Sequence, residues 1–464
     1  MGSLAFVIPS HISPERRECL NSAALAGGYD MAPVPTRIEF DAGKLTLTKE
    51  ANESGYIIVP WPGAGGRQIC ISTTLRERPE PYHLLIELAR GRINQLRCQT
   101  VEWEAIGLSL EPAEQEEIRA LARVFGRAVR DPDEPGADAL AEEALERSAM
   151  ASIRLSAAFA EQLLHTRVGD EGPLETRVGI CLTTIPPTES QTMFRAQFNA
   201  VKLVPQWHRI EVDEGSYDWS DFDALVDWSL NTGIQTTIGP MIDLTETELP
   251  QWAARLVRDK VALSAAMCDF VQVGVRRYQE RVRSWQVCAG FNYVDRYGWD
   301  EDERISLAAR LLEAARTVDS DLSHVLGISQ PWGDYLISEE HTYSPLVFAD
   351  TLIRSGFTFT SVELEVFVGN GARAGHERDA IILYRLVELF GLLSIPLEIS
   401  FGERGRDPAA AAPDWTIPSA LAMSLPQVAG VHWDLPDAFN QRDGRLSSEL
   451  LGRFLREFQA RYLT

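Results

Sequence analysis

The chain has 464 residues, more than one ordinary domain needs and suited to a large domain with a smaller partner. Hydrophobic residues make up 45% and charged residues 24%, which excludes a disordered or fibrous chain. A net charge of −23 repels phosphate backbones and anionic lipid, so neither nucleic acid nor a membrane surface is an expected partner.

The N-terminus, Met1 to Pro9, has no basic segment ahead of its short apolar run, and no apolar span is long enough to cross a bilayer. A cytoplasmic protein is expected. Residues 1–110 read as a β-rich domain. Arg37–Phe40 and Lys44–Thr48 alternate with period two, and a glycine-rich turn at Gly63–Gly66 separates Tyr56–Val59 from Gln68–Ile71. Pro81–Leu84 leads into a helical run over Leu85–Gln95. A small β-sandwich fits; such domains pack against others as readily as they bind sugars. Residues 111–174 read as a helical connector. Glu111–Glu117 is an acidic helix start that suits the macrodipole, Asp131–Gly136 is a break, and Ala139–Leu164 is a second helix.

From 175 to 464, strands alternate with amphipathic helices. The strand candidates are Arg177–Leu182, Ala200–Val204, Gln235–Gly239, Ser284–Cys288, Val325–Ser329, Ser361–Phe367, Pro396–Phe401 and Val428–Trp433. Helical stretches such as Phe222–Ser229, Ile305–Thr317 and Arg378–Phe390 fall between them. Eight such units predict an α/β fold, a closed (β/α)8 TIM barrel behind the β-rich domain and the connector. An open doubly wound sheet is the alternative, but no glycine-rich phosphate loop follows the first strand. The one low-complexity run is Ala409–Ala412.

The cysteines, Cys19, Cys70, Cys98, Cys181, Cys268 and Cys288, are scattered and form no CxxC pair, so neither a zinc site nor a disulfide framework is expected. The histidines form no HxxxH or HxH pair, and no GxSxG elbow is present. No metal and no cofactor are expected.

Four segments carry a family resemblance: Phe198–Val201, the helix entry Glu214–Trp219, the loop Leu249–Trp252, and Arg276–Tyr278 leading to Trp285–Val287. Together they resemble glycoside hydrolase family 10, the xylanase (β/α)8 barrels, over roughly Phe194 to Phe439. The resemblance implies an oligosaccharide or glycan as partner and two catalytic glutamates. Trp285–Gly290 stands where the family's Trp-Asp-Val-Val-Asn-Glu strand delivers the general acid, so Gly290 takes the glutamate position and Ala289 the asparagine. Ile399–Glu403 stands where the family's Ile-Thr-Glu-Leu-Asp strand carries the nucleophile, so Phe401 takes that position. Hydrolysis requires one acid and one nucleophilic or basic carboxylate, and glycine and phenylalanine supply neither. Ser361–Phe367 corresponds to the family's Gly-x-Gly-x-Gln-x-His strand.

Other carboxylates can replace them. Glu363 and Glu365 share one face of a strand, which the match turns into the barrel, with their Cα atoms about 7 Å apart. Two like charges there raise one pKa, which is how an acid/base pair is made. In a different register they pair with cations outside. Asp434, at the end of the last strand, is the third catalytic candidate or caps a loop. Glu403, two residues beyond Phe401, is a weaker one. Glu398 has the opposite parity to Phe401 and is expected to face away from the lumen, paired with a helix arginine.

Trp207, His208, Asp243, Gln286, Asn292, Gln330, Trp332 and Trp433 make up the expected sugar-binding set, from aromatic stacking and hydrogen bonding at strand ends. The tryptophans suit the layer between strands and helices equally well. The loop Gly369–Gly375 either covers the mouth or is an ordinary long βα loop. Two functions remain open: a glycan-acting enzyme with a relocated carboxylate pair, or a carbohydrate-binding descendant without catalysis. Nothing favours a barrel enzyme of different chemistry.

Overall fold

Along most of the chain's second part, apolar and polar residues alternate, and the alternation sets which side of each strand meets the helices. In the computed structural model these segments close into an eight-stranded parallel barrel. Its strands are β9 (Arg177–Leu182), β10 (Ala200–Leu203), β11 (Gln235–Ile238), β13 (Ser284–Trp285), β15 (Ser323–Ser329), β16 (Ser361–Gly369), β17 (Leu397–Arg404) and β18 (Val428–Asp434), with β18 pairing back onto β9. A short parallel pair, β12 (Ile242–Asp243) with β14 (Cys288–Ala289), stands beyond β11 and β13. The expected strand Ser284–Cys288 is thus divided. Gln286 N donates to Ile238 O at 2.8 Å and Met241 N donates to Gln286 O at 3.0 Å, so the ladder changes partner there. Helices Ser220–Thr232 and Glu301–Val318 contain two of the helical stretches expected from the sequence, and the third, expected over Arg378–Phe390, forms over Ala380–Gly391.

The structure describes residues 2–63, 66–134, 136–293, 296–338, 341–405, 413–435, 439 and 449–463. The Ala409–Ala412 run, and parts of the Gly63–Gly66 turn and the Asp131–Gly136 break, lie outside the described residues.

The chain divides into two units. The first comprises Met1–Thr166, Trp332–His341 and His376–Leu389. It holds two four-stranded sheets, in the order β4-β5-β1-β8 and β3-β2-β6-β7. Their strands are β1 (Gly2–Val7), β2 (Ala24–Gly27), β3 (Ala32–Val34), β4 (Arg37–Asp41), β5 (Lys44–Lys49), β6 (Tyr56–Gly63), β7 (Gly66–Ile71) and β8 (Tyr82–His83). Leu4, Phe6, Leu25, Leu45, Leu47, Ile57 and Val59 form a shared buried core. The helix expected over Leu85–Gln95 runs from Leu84 to Ala105, since no glycine or proline interrupts residues 92–105. Helices Pro112–Arg130 and Ala137–Glu171 follow.

The second unit, Arg167–Pro331, Thr342–Gly375 and Phe390–Thr464, contains the barrel strands. Branched aliphatics usually fill such a barrel. Here the apolar face of each strand points out under the helices and the polar face points in. Glu363 on β16 meets Lys202 on β10 across the barrel, which fixes the inward parity. Ser400 on β17 also meets Glu363 and is inward. Phe401 is therefore outward, packed against Trp415 and Trp433 with ring centroids 5.0 and 6.4 Å away. Glu403 shares that outward parity.

Two expectations are corrected by this parity. Glu398 shares the inward face with Ser400, and its partners lie on strands rather than on a helix: Arg177 of β9 at 2.7 Å, His432 Nε2 of β18 at 2.8 Å and Ser361 Oγ of β16 at 2.5 Å. Burial opposes its charge, but His432 and Arg177 hold the carboxyl far below its ordinary range. Phe401, taken from the resemblance as the nucleophile position, faces the helix layer, so the inward residue beside it is Ser400.

Candidate functional site

The polar faces converge at the C-terminal ends of the strands, where ligands bind in this architecture. A cavity of ≈ 340 Å³ opens there, floored by Glu363, Gln286, Lys202 and Ser400. A second cavity of ≈ 360 Å³ adjoins it, sharing Thr183, Val204, Gln206 and Arg209 as wall residues.

The floor is a buried ion pair. Glu363 accepts from Lys202 Nζ, from Ser400 Oγ and from Gln286 Nε2, the last at 2.5 Å. Lys202 is 4% exposed and Glu363 0%. Burial works against the ammonium, but the adjoining Glu363 wins and raises the Lys202 pKa above its ordinary value.

Above the floor stands Glu365, two residues along the same face of β16. It accepts from Ser329 Oγ and from Arg373 Nη1, the latter at 2.8 Å. Burial, reinforced by the Glu363 and Asp243 charges and opposed by Arg373, pushes its carboxyl up to about 7. Arg373 Nη1 also lies 2.8 Å from Asp243 Oδ2, and Nη2 lies 2.7 Å from Glu246 Oε2. Arg404 continues the row, 2.7 Å from Glu246 Oε1 and 2.6 Å from Asp434 Oδ2. Both guanidinium groups stand over the Phe367 ring, at 5.1 Å for Arg373 and 4.1 Å for Arg404. Charges therefore alternate across the mouth, from Glu365 through Arg373, Glu246 and Arg404 to Asp434.

Arg373 is supplied by the glycine-rich loop Gly369–Gly375. The loop is pinned to the strand ends: Asn370 N and Gly371 N donate to Arg404 O at 3.0 and 2.8 Å, and Gly375 N donates to Phe367 O at 2.8 Å. Two non-glycine residues here adopt the left-handed region, Arg373 at φ 61° and Gln330 at φ 42°. Such strain persists only where surroundings enforce it. The two are linked, since Gln330 Nε2 donates to the carbonyl of Ala374.

Gly290 adopts φ 73°, and a Cβ there would stand 2.9 Å from Asp243 Oδ1. Asp243 itself is anchored on β12, its Oδ1 accepting from Thr245 N at 2.8 Å, Thr245 Oγ1 at 2.7 Å and Glu246 N at 3.1 Å. An acidic group from β12 thus lies beside the position that the resemblance assigns to the general acid.

Of the expected site residues, Glu363, Glu365, Asp434, Trp207, His208, Asp243 and Gln286 line the cavity. Trp207 does so without a free ring face: it is stacked on Phe270 at 5.1 Å and its Nε1 donates to Glu211 at 2.7 Å. His208 stays partly open, its Nε2 3.4 Å from Glu248. Four expected residues are elsewhere. Asn292 fastens the end of β15, donating to Ser329 O at 2.8 Å and accepting from Ser329 N at 2.9 Å. Gln330 props the Arg373 loop. Trp332 belongs to the first unit, with Arg378 over its ring at 4.5 Å. Trp433 is buried on the outward face, against Phe401 and Phe198.

Sequence reasoning missed Lys202, Glu246, Ser329, Arg373, Ser400 and Arg404. Lys202 had a signal: a lysine inside the short apolar strand Ala200–Leu203 demands a buried partner. Arg373 and Arg404 had none, because a loop conformation and a strand end decide where they reach.

Residues 175–292, which run from β9 to just past β14, match the model of glycosyl hydrolase family 10, and the resemblance read from the sequence is borne out there. The chain is similar to a solved family-10 xylanase from Bispora sp. MEY-1 with xylobiose, at 13% identity, covering 63% of this chain and 99% of that one with a TM-score of 0.48. It is similar to xylanase 10B from Thermotoga maritima at 14% identity, covering 64% and 95% with a TM-score of 0.47. Xylanase 10B from Thermotoga petrophila RKU-1, in complex with xylobiose, gives 14%, 62%, 89% and 0.44 in the same order. No curated protein matches the chain.

Proposed function

We propose that this glycoside hydrolase-like barrel binds a short, uncharged oligosaccharide in the cavity beneath the mouth and does not cleave it in the state described. The observation that carries this reading is the Arg373 guanidinium, held between Asp243 and Glu365. Retaining hydrolysis needs the glycosidic bond between two carboxylates about 5 Å apart. Here a cation from the protein holds that position, Glu363 is neutralised by Lys202, and Asp434 by Arg404. The family match supports a glycan as the ligand class. Carboxylates outnumber cations along the cavity wall, which disfavours acidic sugars. The adjoining second cavity suits more than one sugar ring. Calorimetric titration with a panel of neutral di- and trisaccharides, with chromatography of the recovered sugar, tests this: saturable binding with intact ligand is expected, and binding to none of them refutes it.

A second reading, hydrolysis by a relocated carboxylate pair, is favoured by Glu365. A buried carboxyl with its pKa pushed up to about 7 is tuned as a general acid. Aryl β-glycosides offered to the wild-type protein and to the Glu363→Gln/Glu365→Gln double variant decide it; turnover that vanishes in the variant supports hydrolysis.

A further inference from the structure

We propose that Asp243 and Glu365 form a latent hydrolytic pair, latched by Arg373, and that glycoside cleavage becomes available when the guanidinium leaves. This rests on the reading of the cavity as a glycan site. A single Arg373 nitrogen is 2.8 Å from an oxygen of each carboxylate, so the two facing oxygens lie no more than about twice that distance apart, a bound that includes the separation retaining hydrolysis uses. Each carboxylate is also positioned from behind. Asp243 Oδ1 is held by Thr245 and by the backbone of Glu246, which leaves Oδ2 for Arg373 alone. Glu365 Oε2 is held by Ser329 as well as by Arg373. Both residues and the arginine line the cavity.

Among the described residues, no other pair lining the cavity is arranged this way. Glu363, on the floor, is neutralised by Lys202, and Asp434 and Glu246 remain tied to Arg404 whether or not Arg373 moves. Displacing the latch moves a loop residue and no strand residue. It sits on a loop, at a left-handed non-glycine residue, and a second such residue, Gln330, holds the same loop. Its Nε has no acceptor among the described residues. Glu246, partly exposed at the rim, can retain Nη2 while Nη1 swings away.

With the latch open, protonated Glu365 donates its proton to the glycosidic oxygen as the bond from that oxygen to the anomeric carbon breaks. Asp243 Oδ2 forms an ester bond to the anomeric carbon, and the aglycone leaves as an alcohol. Water then attacks the same carbon, giving its proton to the Glu365 carboxylate, while the ester bond breaks and returns Asp243 as a carboxylate.

Full-length Arg373→Gln and Arg373→Lys variants test this against wild type on aryl β-glycosides. Lysine keeps the charge and supports folding, but its one ammonium cannot also hold Glu246 as the second guanidinium nitrogen does, so it anchors the latch more weakly. Expected is a rise in turnover of at least about a hundredfold, removed by adding Asp243→Asn. A 2-deoxy-2-fluoro glycosyl fluoride is expected to label Asp243 in the variants, and slowly in wild type, as read by peptide mass spectrometry. Folded variants no faster than wild type, or a rise that survives Asp243→Asn, overturn the proposal; if neither variant folds, absence of label on wild-type Asp243 overturns it. Wild-type sugar binding, measured alongside, separates the two claims: binding without a gain in turnover sinks the latent pair alone, whereas no binding and no label sinks both.

Discussion

Lys202→Met removes the cation beneath Glu363 while keeping much of the side chain's volume, so the cavity term is small and the electrostatic term dominates. The pair is 4% and 0% exposed. Removing one member of such a buried pair costs about 3–5 kcal/mol, because the other charge is left without its counter-ion. Glu363 keeps its hydrogen bonds from Ser400 and Gln286, each a bond to a charged group, which places the expected loss near the lower end, about 3 kcal/mol. The double change Lys202→Met/Glu363→Gln removes both charges and keeps an acceptor for one of the two donors, Ser400 or Gln286, so it should recover part of that loss. Urea unfolding followed by tryptophan fluorescence measures all the proteins of the cycle. A single-variant loss below about 1 kcal/mol, the range of exposed pairs, would show that β16 does not turn Glu363 into the lumen, and the site as described would fall with it.

Gly290→Glu, which restores the residue type that the resemblance calls for, should destabilise the barrel and yield no hydrolysis: φ 73° costs a side chain about 1–2 kcal/mol, and its Cβ would meet Asp243 Oδ1 at 2.9 Å. Urea midpoints and aryl-glycoside assays check both halves. Trp433→Ala should cost about 3–5 kcal/mol and leave ligand affinity unchanged, whereas His208→Ala should weaken binding with little effect on stability; calorimetry beside unfolding curves separates them. Stability against pH should carry two opposite slopes. Glu398, held below its ordinary value of 4.5, contributes stability that is present above that pH and lost as pH falls, and Glu398→Gln should flatten that acid limb. Glu365, raised from 4.5 to about 7, contributes stability that is full below 4.5 and lost as pH rises through 7, so Glu365→Gln should flatten the neutral limb.

The barrel was legible because each strand carries its own alternation between turn signals, and the Phe198–Val201 and Leu249–Trp252 segments placed the second and third strands. Parity along β17 was not. Phe401 and Ser400 are neighbours, and choosing which faces in requires the partner across the barrel, Lys202, which lies 161 positions from Glu363 in sequence. The same error displaced Glu398 and allowed Trp433 into the expected sugar-binding set. That Glu363 and Glu365 share a face was readable from their two-residue spacing; that the face turns inward came from the family resemblance, with an outward register left open. Their neutralisation was not readable, because Arg373 and Arg404 act from loop and strand-end positions whose reach no local pattern encodes. In the first unit the helices were found but drawn short or shifted, as expected when ends are read from sequence without their caps.

The central claim, that the mouth holds an intact oligosaccharide because Arg373 stands between its carboxylates, is tested most directly by one titration. Wild-type protein and Arg373→Lys are titrated with the same neutral disaccharides, and each mixture is then chromatographed. Wild type is expected to bind and to return the sugar uncleaved. Rapid cleavage by the wild-type protein, with Arg373 in place, would contradict it.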